Sequence, residues 1–446
     1  MIRFLIRCIL IFLPDSVREK IKIWYNRNAV AYFKDRGRYR ELFMQIFFHK
    51  YTSKKAYEKK WQRLQKVRQK EKITVVFQVW NVSKWRCDSV YRLMHEHPRF
   101  EPYVWMVDEP GFSSDVCKEN RKKLLRFFED DIYKKSLANN WAAMNKELNP
   151  DLVFIQDHYL QDINMHPCAY NHLLCYVRYC YMTTNLTKGI DYFLSHALLF
   201  FFQEHQSIAD MSRRVLTGPA EKFVVTGHPI ADYLVSLPFG SSSVWRPMPT
   251  PCKKLIWAPH WTVQDNTELA YRGVSTFMRL CGFMIELAKK YSGRLQIAFK
   301  PHPSLYVALC NHPDWGKEKT NAYYNCWQSM PNTQLETGSY RELFQQSDAM
   351  IHDCGSFIIE YMLVNKPCMY LGLSSGFDNF NELNEKALSC HEKGTTESDI
   401  ESFVRRLLSG EVDTKREQRI AFLNAYLLPP HGKSASQNIV DAILGA

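Results

Sequence analysis

The residues best equipped for chemistry in this 446-residue chain stand where apolar, β-branched runs give out. The run 254–258 (KLIWA) leads into Pro259-His260-Trp261-Thr262. The run 295–299 leads into Lys300-Pro301-His302-Pro303, and 349–351 into His352-Asp353-Cys354-Gly355-Ser356. Lysine and histidine neutralise phosphate oxygens. A helix opening near Ser356 offers free backbone amides at its positive end, and Gly355 lets a ligand approach the backbone closely. Glu360, one turn into that helix, is placed to accept hydrogen bonds from ribose hydroxyls. The set Lys300, His302, Asp353, Gly355, Ser356 and Glu360 therefore reads as a nucleoside diphosphate site. Two further histidines follow strand-like runs. His158, directly after 151–156 (DLVFIQ), is a candidate general base and is grouped with His302 as catalytic. His228, after 223–226, is set with His260 across a cleft to hold donor or acceptor. Neither GxGxxG nor GxxxxGK[ST] occurs, which excludes the dinucleotide fingerprint and the P-loop.

Such residues need strands to carry them. Strands are predicted at 73–80 (ITVVFQVW), 103–107, 151–156, 174–181, 192–195 and 223–226, then at 254–258, 295–299, 349–351 and 367–371. Helical faces fall between them: Val90, Leu93 and Met94 before Pro98, then Phe277, Leu280, Cys281, Met284 and Leu287 within 274–291, then 357–365. Ser339-x-x-Glu342 and Ser398-x-x-Glu401 read as capping boxes, and Gly410 ends the last well-marked helix. The stretch 303–338 reads as a long loop over the strand ends. Alternating strands and helices imply parallel sheets, with ligands at the carboxyl ends of the strands. Asn81, Asp157-His158, Thr183-Thr184 and Gly227-His228 occupy such ends. The length calls for two α/β lobes, 73–240 and 250–446, behind an N-terminal extension, 1–72.

The extension holds the charge. Residues 1–72 carry 20 Lys and Arg against 6 Asp and Glu, whereas the remainder carries 38 basic and 40 acidic residues. The opening MIRFLIRCILIFLPDS is too short and too interrupted by arginine to span a bilayer, which takes about 20 apolar residues. Its basic and aromatic content suits an anionic membrane surface; the alternative is a helical cap packed on the main body. No nucleic-acid motif accompanies the charge. The 13 cysteines include no CxxC pair. Cys168, Cys175 and Cys180 cluster without zinc-site spacing, so neither metal nor cofactor is expected.

Four segments resemble the CDP-glycerol glycerophosphotransferases of teichoic acid and capsule polymer synthesis. Thr226-Gly227-His228-Pro229-Ile230-Ala231-Asp232 is similar to that family's G-x-P-R-N-D, and Trp257-Ala258-Pro259-His260-Trp261-Thr262 to its Y-A-P-T-W-R. Lys300-Pro301-His302-Pro303 resembles its K-x-H-P, and Ser347 to Ser356, continuing to Glu360, its S-D-x-L-I-T-D-Y-S-S with a following acid. The resemblance covers about residues 220–372. It implies a GT-B-like pair of Rossmann-like lobes, a CDP-activated donor, and transfer of a polyol phosphate to a glycan or lipid-linked acceptor at the cytoplasmic face of the membrane. The chain departs from the family in three places. Ile230 and Thr262 stand where the family has arginines, and Tyr176-Val177-Arg178-Tyr179-Cys180-Tyr181-Met182-Thr183 stands where it has W-H-G-T-P, without the histidine expected as base. Two other readings stay open: a nucleotide-sugar glycosyltransferase of the same fold, and a non-catalytic envelope-assembly protein.

If the extension is a membrane anchor, the full chain should bind vesicles only when they contain anionic lipid. Each basic residue at such a surface contributes roughly 1 kcal/mol. Binding should fall with salt, because screening acts over about 8 Å at physiological ionic strength. Removal of residues 1–72 should abolish it, and indifference of the full chain to anionic vesicles at low salt would leave only the packed cap.

Overall fold

The computed structural model describes residues 54–108, 114–156, 172–185, 198–216, 219–235, 243–264, 274–338, 340–372 and 380–446. They form two parallel sheets. The first contains β1 (Ile73–Val79), β2 (Phe100–Met106), β3 (Lys134–Ser136), β4 (Leu152–Ile155), β5 (Leu173–Tyr176), β6 (Leu198–Gln203) and β7 (Phe223–Val225), in the order β3-β2-β1-β4-β5-β6-β7. The second contains β8 (Lys253–Ala258), β9 (Leu295–Phe299), β10 (Thr333–Leu335), β11 (Ala349–His352), β12 (Cys368–Leu371) and β13 (Glu392–Gly394), in the order β10-β9-β8-β11-β12-β13. Each sheet runs outward from its first strand and then reverses, so each has a switch point: between β1 and β4, and between β8 and β11. This is the expected two-lobed, GT-B-like α/β fold.

The strands are continuous apolar runs because helices cover both faces. Phe77 of β1 lies in register with Val104 and Phe154. Trp257 of β8 lies opposite Ile351 and Phe299, and its ring stacks on Phe277 and Phe299 at centroid distances of 5.8 and 5.0 Å. The start of each sheet's central pair is pinned alike. Asp151 accepts a hydrogen bond from the Thr74 amide and an ion pair from Lys70. Asp348 does the same with the Lys254 amide and Lys253.

The C-terminal helix Ala435–Leu444 crosses back to the first lobe, where Ile439, Val440 and Ile443 join Val75, Phe77 and Phe200 in one core. The helix Lys54–Arg68 packs beside it through Leu64 and Val67, and the Arg68 guanidinium donates to the carbonyls of Ala442 and Ile443. This part of the basic extension is thus a packed cap, and a truncation aimed at membrane binding has to stop before Lys54. No helix among the described residues is long and apolar enough to cross a membrane. The crossing is tight at Gly227: its φ is +79°, and a Cβ there would lie 2.7 Å from Pro429 Cβ.

Several expectations need correction. The stretch 303–338 is not a loop but two helices, Leu305–Cys310 and Gly316–Ser329, followed by β10. Its aromatic residues, Tyr324 and Trp327 among them, pack into the second core rather than making a simple periodic face. The N-cap of the helix Arg341–Gln346 is Tyr340, with no side-chain cap. The capping box of the helix Glu397–Ser409 uses Thr396 and Asp399, two residues before Ser398 and Glu401. The helix after Ser356 is one turn, Phe357–Glu360, continued by the 3₁₀ turn Tyr361–Val364. The strand expected at 192–195 lies outside the described residues; β6 is the run LLFFFQ after it.

Asp232, from the first motif of the resemblance, holds the returning helix. Its carboxylate is buried and accepts hydrogen bonds from the amides of Ala435 and Ser436 at 2.8 Å each, from Ser436 Oγ at 2.7 Å and from Ser89 Oγ at 3.3 Å. Asp232→Ala leaves these buried donors without an acceptor and should cost about 3 kcal/mol. Urea unfolding should show a lowered midpoint, and an unchanged midpoint would mean that the helix is held by its apolar face alone.

Candidate functional site

The second switch point is organised around one carboxylate. Asp353 follows β11 and is buried. One of its oxygens accepts from the amide of His260, at the end of β8, at 2.5 Å. The other accepts from the Thr276 amide and hydroxyl, at 2.5 and 2.8 Å, and from Ser275 Oγ at 3.3 Å. Asp353 therefore positions the loop after β8 and the start of the helix Phe277–Lys290, and its lone pairs are committed to that work. This corrects its expected role as a substrate ligand.

His260, Lys300 and His302 meet at the adjoining strand ends, with the two imidazole rings 5.2 Å apart. The Ser304 amide donates to His302 Nδ1 at 3.1 Å, so the neutral ring carries its proton on Nε2. Burial first, then His260, Lys300 and Lys84, hold its pKa well below the usual histidine range. Near neutral pH His302 is a hydrogen-bond donor through Nε2, which suits a phosphate oxygen better than the base role. His260 Nδ1 pairs with Thr262 Oγ1 at 2.8 Å, and burial lowers its pKa to about 4.

Lys300 is buried, and its ammonium donates to the Gly338 carbonyl at 2.9 Å. It lies 5.9 Å from the centroid of Tyr340, and the guanidinium of Arg86, from the first lobe, lies 5.1 Å from the same ring. The Tyr340 hydroxyl donates to Glu360 Oε2 at 2.5 Å. Glu360 Oε1 and Arg86 Nε are buried, with no hydrogen-bond partner among the described residues. Burial raises the Glu360 carboxyl above its ordinary pKa, against the pull of Arg86 and the Tyr340 bond. An unpaired carboxylate oxygen and an unpaired guanidinium N–H in one buried place are costly unless a ligand meets them.

The lobes touch around this point. Thr184 and Phe380 form an antiparallel bridge, Asn381 Nδ2 donates to the Met182 carbonyl at 2.7 Å, and Gln345 Nε2 to that of Leu234 at 2.9 Å. Gly355 faces Thr183 of the other lobe. A Cβ at Gly355 would sit 3.7 Å from Thr183 Oγ1, an ordinary contact, so the protein alone does not require glycine there. Ser356 starts the one-turn helix without using its side chain as a cap.

His228 is corrected as well. Its Nδ1 accepts from the Ile230 amide at 3.1 Å, its Nε2 donates to the Arg178 carbonyl at 2.9 Å, and the ring stacks on Tyr181. Both nitrogens are spent on holding the loop after β5, and neither is left for a substrate. His158 lies outside the described residues. Sequence reading missed Arg86 and Tyr340. Arg86 follows the turn after β1, where a cation beside the first strand end was a usable signal; Tyr340 lay within the Ser339-x-x-Glu342 segment, which was read only as a helix start.

Solved structures similar to this chain include the following three. A putative UDP-N-acetylglucosamine 2-epimerase from Listeria monocytogenes shares 14% identity, covering 83% of this chain and 96% of its own, with a TM-score of 0.52. A UDP-GlcNAc 2-epimerase from Neisseria meningitidis bound to UDP-GlcNAc shares 16% identity, covering 84% and 100%, at 0.50. The wall teichoic acid polymerase TagF shares 14% identity, covering 91% and 96%, at 0.53. Likeness at this identity establishes the fold alone. No family model and no curated protein matches the chain.

Burial lowers the Lys300 pKa to about 8, with Arg86 adding to the shift and Glu336 opposing it. A diphosphate needs the charged form. CDP affinity should therefore hold steady below that pH and fall above it by up to about tenfold per pH unit. Lys300→Met should weaken binding at neutral pH and remove the alkaline break while leaving the melting temperature nearly unchanged. Calorimetric titration across the range checks this, and a wild-type profile flat through the alkaline range would exclude Lys300 from the ligand.

Proposed function

We propose that the chain transfers glycerol phosphate, or a related polyol phosphate, from a CDP-activated donor to a glycan or lipid-linked acceptor in envelope or capsule polymer synthesis. The observation carrying this reading is the convergence of buried Lys300 and Glu360 and half-buried Arg86 on Tyr340 at the second switch point, with one Glu360 oxygen and one Arg86 N–H unsatisfied among the described residues. Two cations and the neutral His302 suit a diphosphate, and the open carboxylate oxygen suits a ribose hydroxyl. The TagF likeness and the four motif segments support the donor class.

In this reading the acceptor hydroxyl attacks the phosphorus of the polyol phosphate. The bond to the CMP phosphate breaks, and CMP leaves. Lys300, His302 and the amides near Ser356 stabilise the charge developing on the phosphate oxygens. Arg86 reaches the same oxygens from the other lobe, so closure of the lobes completes the site. The acceptor's proton goes to a base, assigned from the sequence to His158. Residues 1–53 would hold the enzyme at the inner membrane surface beside its acceptor.

A nucleotide-sugar enzyme of the same fold is the second reading, favoured by the likeness to UDP-GlcNAc 2-epimerases and by Arg178 and Cys180 in place of the W-H-G-T-P segment. A thermal-shift screen with CDP-glycerol, CDP-ribitol, CMP, UDP-GlcNAc and GDP separates the two, because a bound ligand stabilises the folded chain. Stabilisation by UDP-GlcNAc alone would replace the first reading with the second; release of CMP on turnover supports the first.

If Glu360 holds the ribose, CDP should bind at least about tenfold more tightly than 2′-deoxy-CDP, since a buried group left unpaired discriminates strongly. Glu360→Gln should narrow that ratio. Equal affinity of the wild-type protein for both nucleotides would remove the role.

A further inference from the structure

Behind the strand-end loops, on the side of the second sheet away from β8, three residues distant in sequence come together. His352 ends β11, Cys368 begins β12 beside Met350, and His391 follows the helix Glu382–Ser389 on the way into β13. All three are buried, with at most 2% of their surface exposed. Each offers one ligand atom, and these atoms all lie within 4.8 Å of one another. The two imidazole rings are 5.8 Å apart and nearly perpendicular.

The hydrogen bonds dictate how the rings are protonated. His352 Nδ1 faces the Cys354 carbonyl, and His391 Nδ1 faces the Ala387 carbonyl, each at 3.0 Å. A carbonyl only accepts, so both Nδ1 atoms carry the proton, and both Nε2 atoms present a lone pair. Neither Nε2 has a hydrogen-bond partner among the described residues. Two buried lone pairs without donors are a costly arrangement. The single S–H of Cys368 can satisfy one of them and leaves the other bare. A metal ion satisfies both and the sulfur as well. The Nδ1–H to carbonyl bonds are also the outer contacts by which metal-bound histidines are held in orientation.

We propose that His352, Cys368 and His391 are the protein ligands of a structural transition-metal site, with zinc as the ion this nitrogen and thiolate set fits. Ligand softness favours zinc over magnesium or calcium, which take oxygen. On binding, the Cys368 thiol gives up its proton to solvent and enters as thiolate, leaving the bound ion a net single positive charge. Arg419 acts on both Cys368 and His391, with Lys415 adding to it at His391 and Glu392 opposing it at Cys368; Arg419 is itself ion-paired with Asp413 and donates to Asn365 Oδ1 at 3.3 Å. The site is too enclosed to admit a substrate. Its effect is mechanical: it ties β11 and β12 to the segment entering β13 immediately before Asp353, the residue that holds the strand-end loops in place. The spacing of these three residues matches no short zinc motif, so only the parallel sheet brings them together.

The test uses tag-free full-length protein purified without chelator. Elemental analysis should find about one zinc per chain, reduced severalfold in Cys368→Ser and in His391→Gln. Chelator treatment should lower the melting temperature, and added zinc should restore it. Cobalt(II) added to the chelator-treated wild-type chain should give thiolate-to-cobalt charge-transfer absorption in the near ultraviolet, absent from Cys368→Ser. If the variants fail to fold, the wild-type metal content and cobalt spectrum decide alone. Wild-type protein with neither stoichiometric metal nor the cobalt bands would overturn the proposal and assign the pocket to a Cys368 S–H bond or a buried water. Nucleotide binding is scored separately and does not bear on the result.

Discussion

The arrangement of the strand ends depends on one kind of bond: a buried side chain placed just after the strand across each switch point, accepting hydrogen bonds from amides of the loop that follows the first strand. In the second sheet this is Asp353, which takes the amides of His260 and Thr276. In the first sheet it is Gln156, after β4, whose Oε1 takes the amides of Arg86 and Cys87 at 2.7 and 3.2 Å. The two clasps occupy equivalent positions in the two lobes. Each sets the course of a loop carrying candidate site residues, His260 in one lobe and Arg86 in the other. A loop backbone held by a buried acceptor cannot be released without leaving unpaired polar groups on both sides, which keeps the ends of the two sheets rigid enough to face each other.

The lobes then meet through polar contacts as much as apolar ones. Arg86 reaches across to Tyr340, and Arg341 to Tyr233 at 4.6 Å from the ring centroid. Asn381 joins Met182, and Gln345 joins Leu234. The C-terminal helix adds a covalent constraint. The chain leaves the second lobe and ends inside the first, anchored at Asp232 and passing within van der Waals distance of Gly227. Any opening of the cleft has to be accommodated by the segments that make these crossings. Buried Lys300 and half-buried Arg86, one from each lobe, lie 5.9 and 5.1 Å from the centroid of the same Tyr340 ring.

The sequence by itself determined the two α/β lobes and most of the second site. Runs such as ITVVFQV and LQIAF are buried strands wherever they stand, because only a sheet covered on both faces accommodates them, and the polar residues after them must lie at the carboxyl edge. This made His260, Lys300, His302 and Glu360 legible as neighbours. Tertiary structure decided what local pattern does not encode. Asp353 and His228 have the residue types of ligands, but their hydrogen bonds go to other groups of the protein: amides and hydroxyls after β8 for Asp353, the Ile230 amide and the Arg178 carbonyl for His228. Arg86 and Tyr340 meet only because two lobes pack. The helices of 303–338 were hidden because their aromatic faces are sheltered by tertiary contacts rather than by a regular apolar stripe. His352 and Cys368 stand on β11 and β12 and His391 just before β13, and parallel pairing of β11, β12 and β13, not spacing along the chain, brings one side-chain atom of each within 4.8 Å of the others.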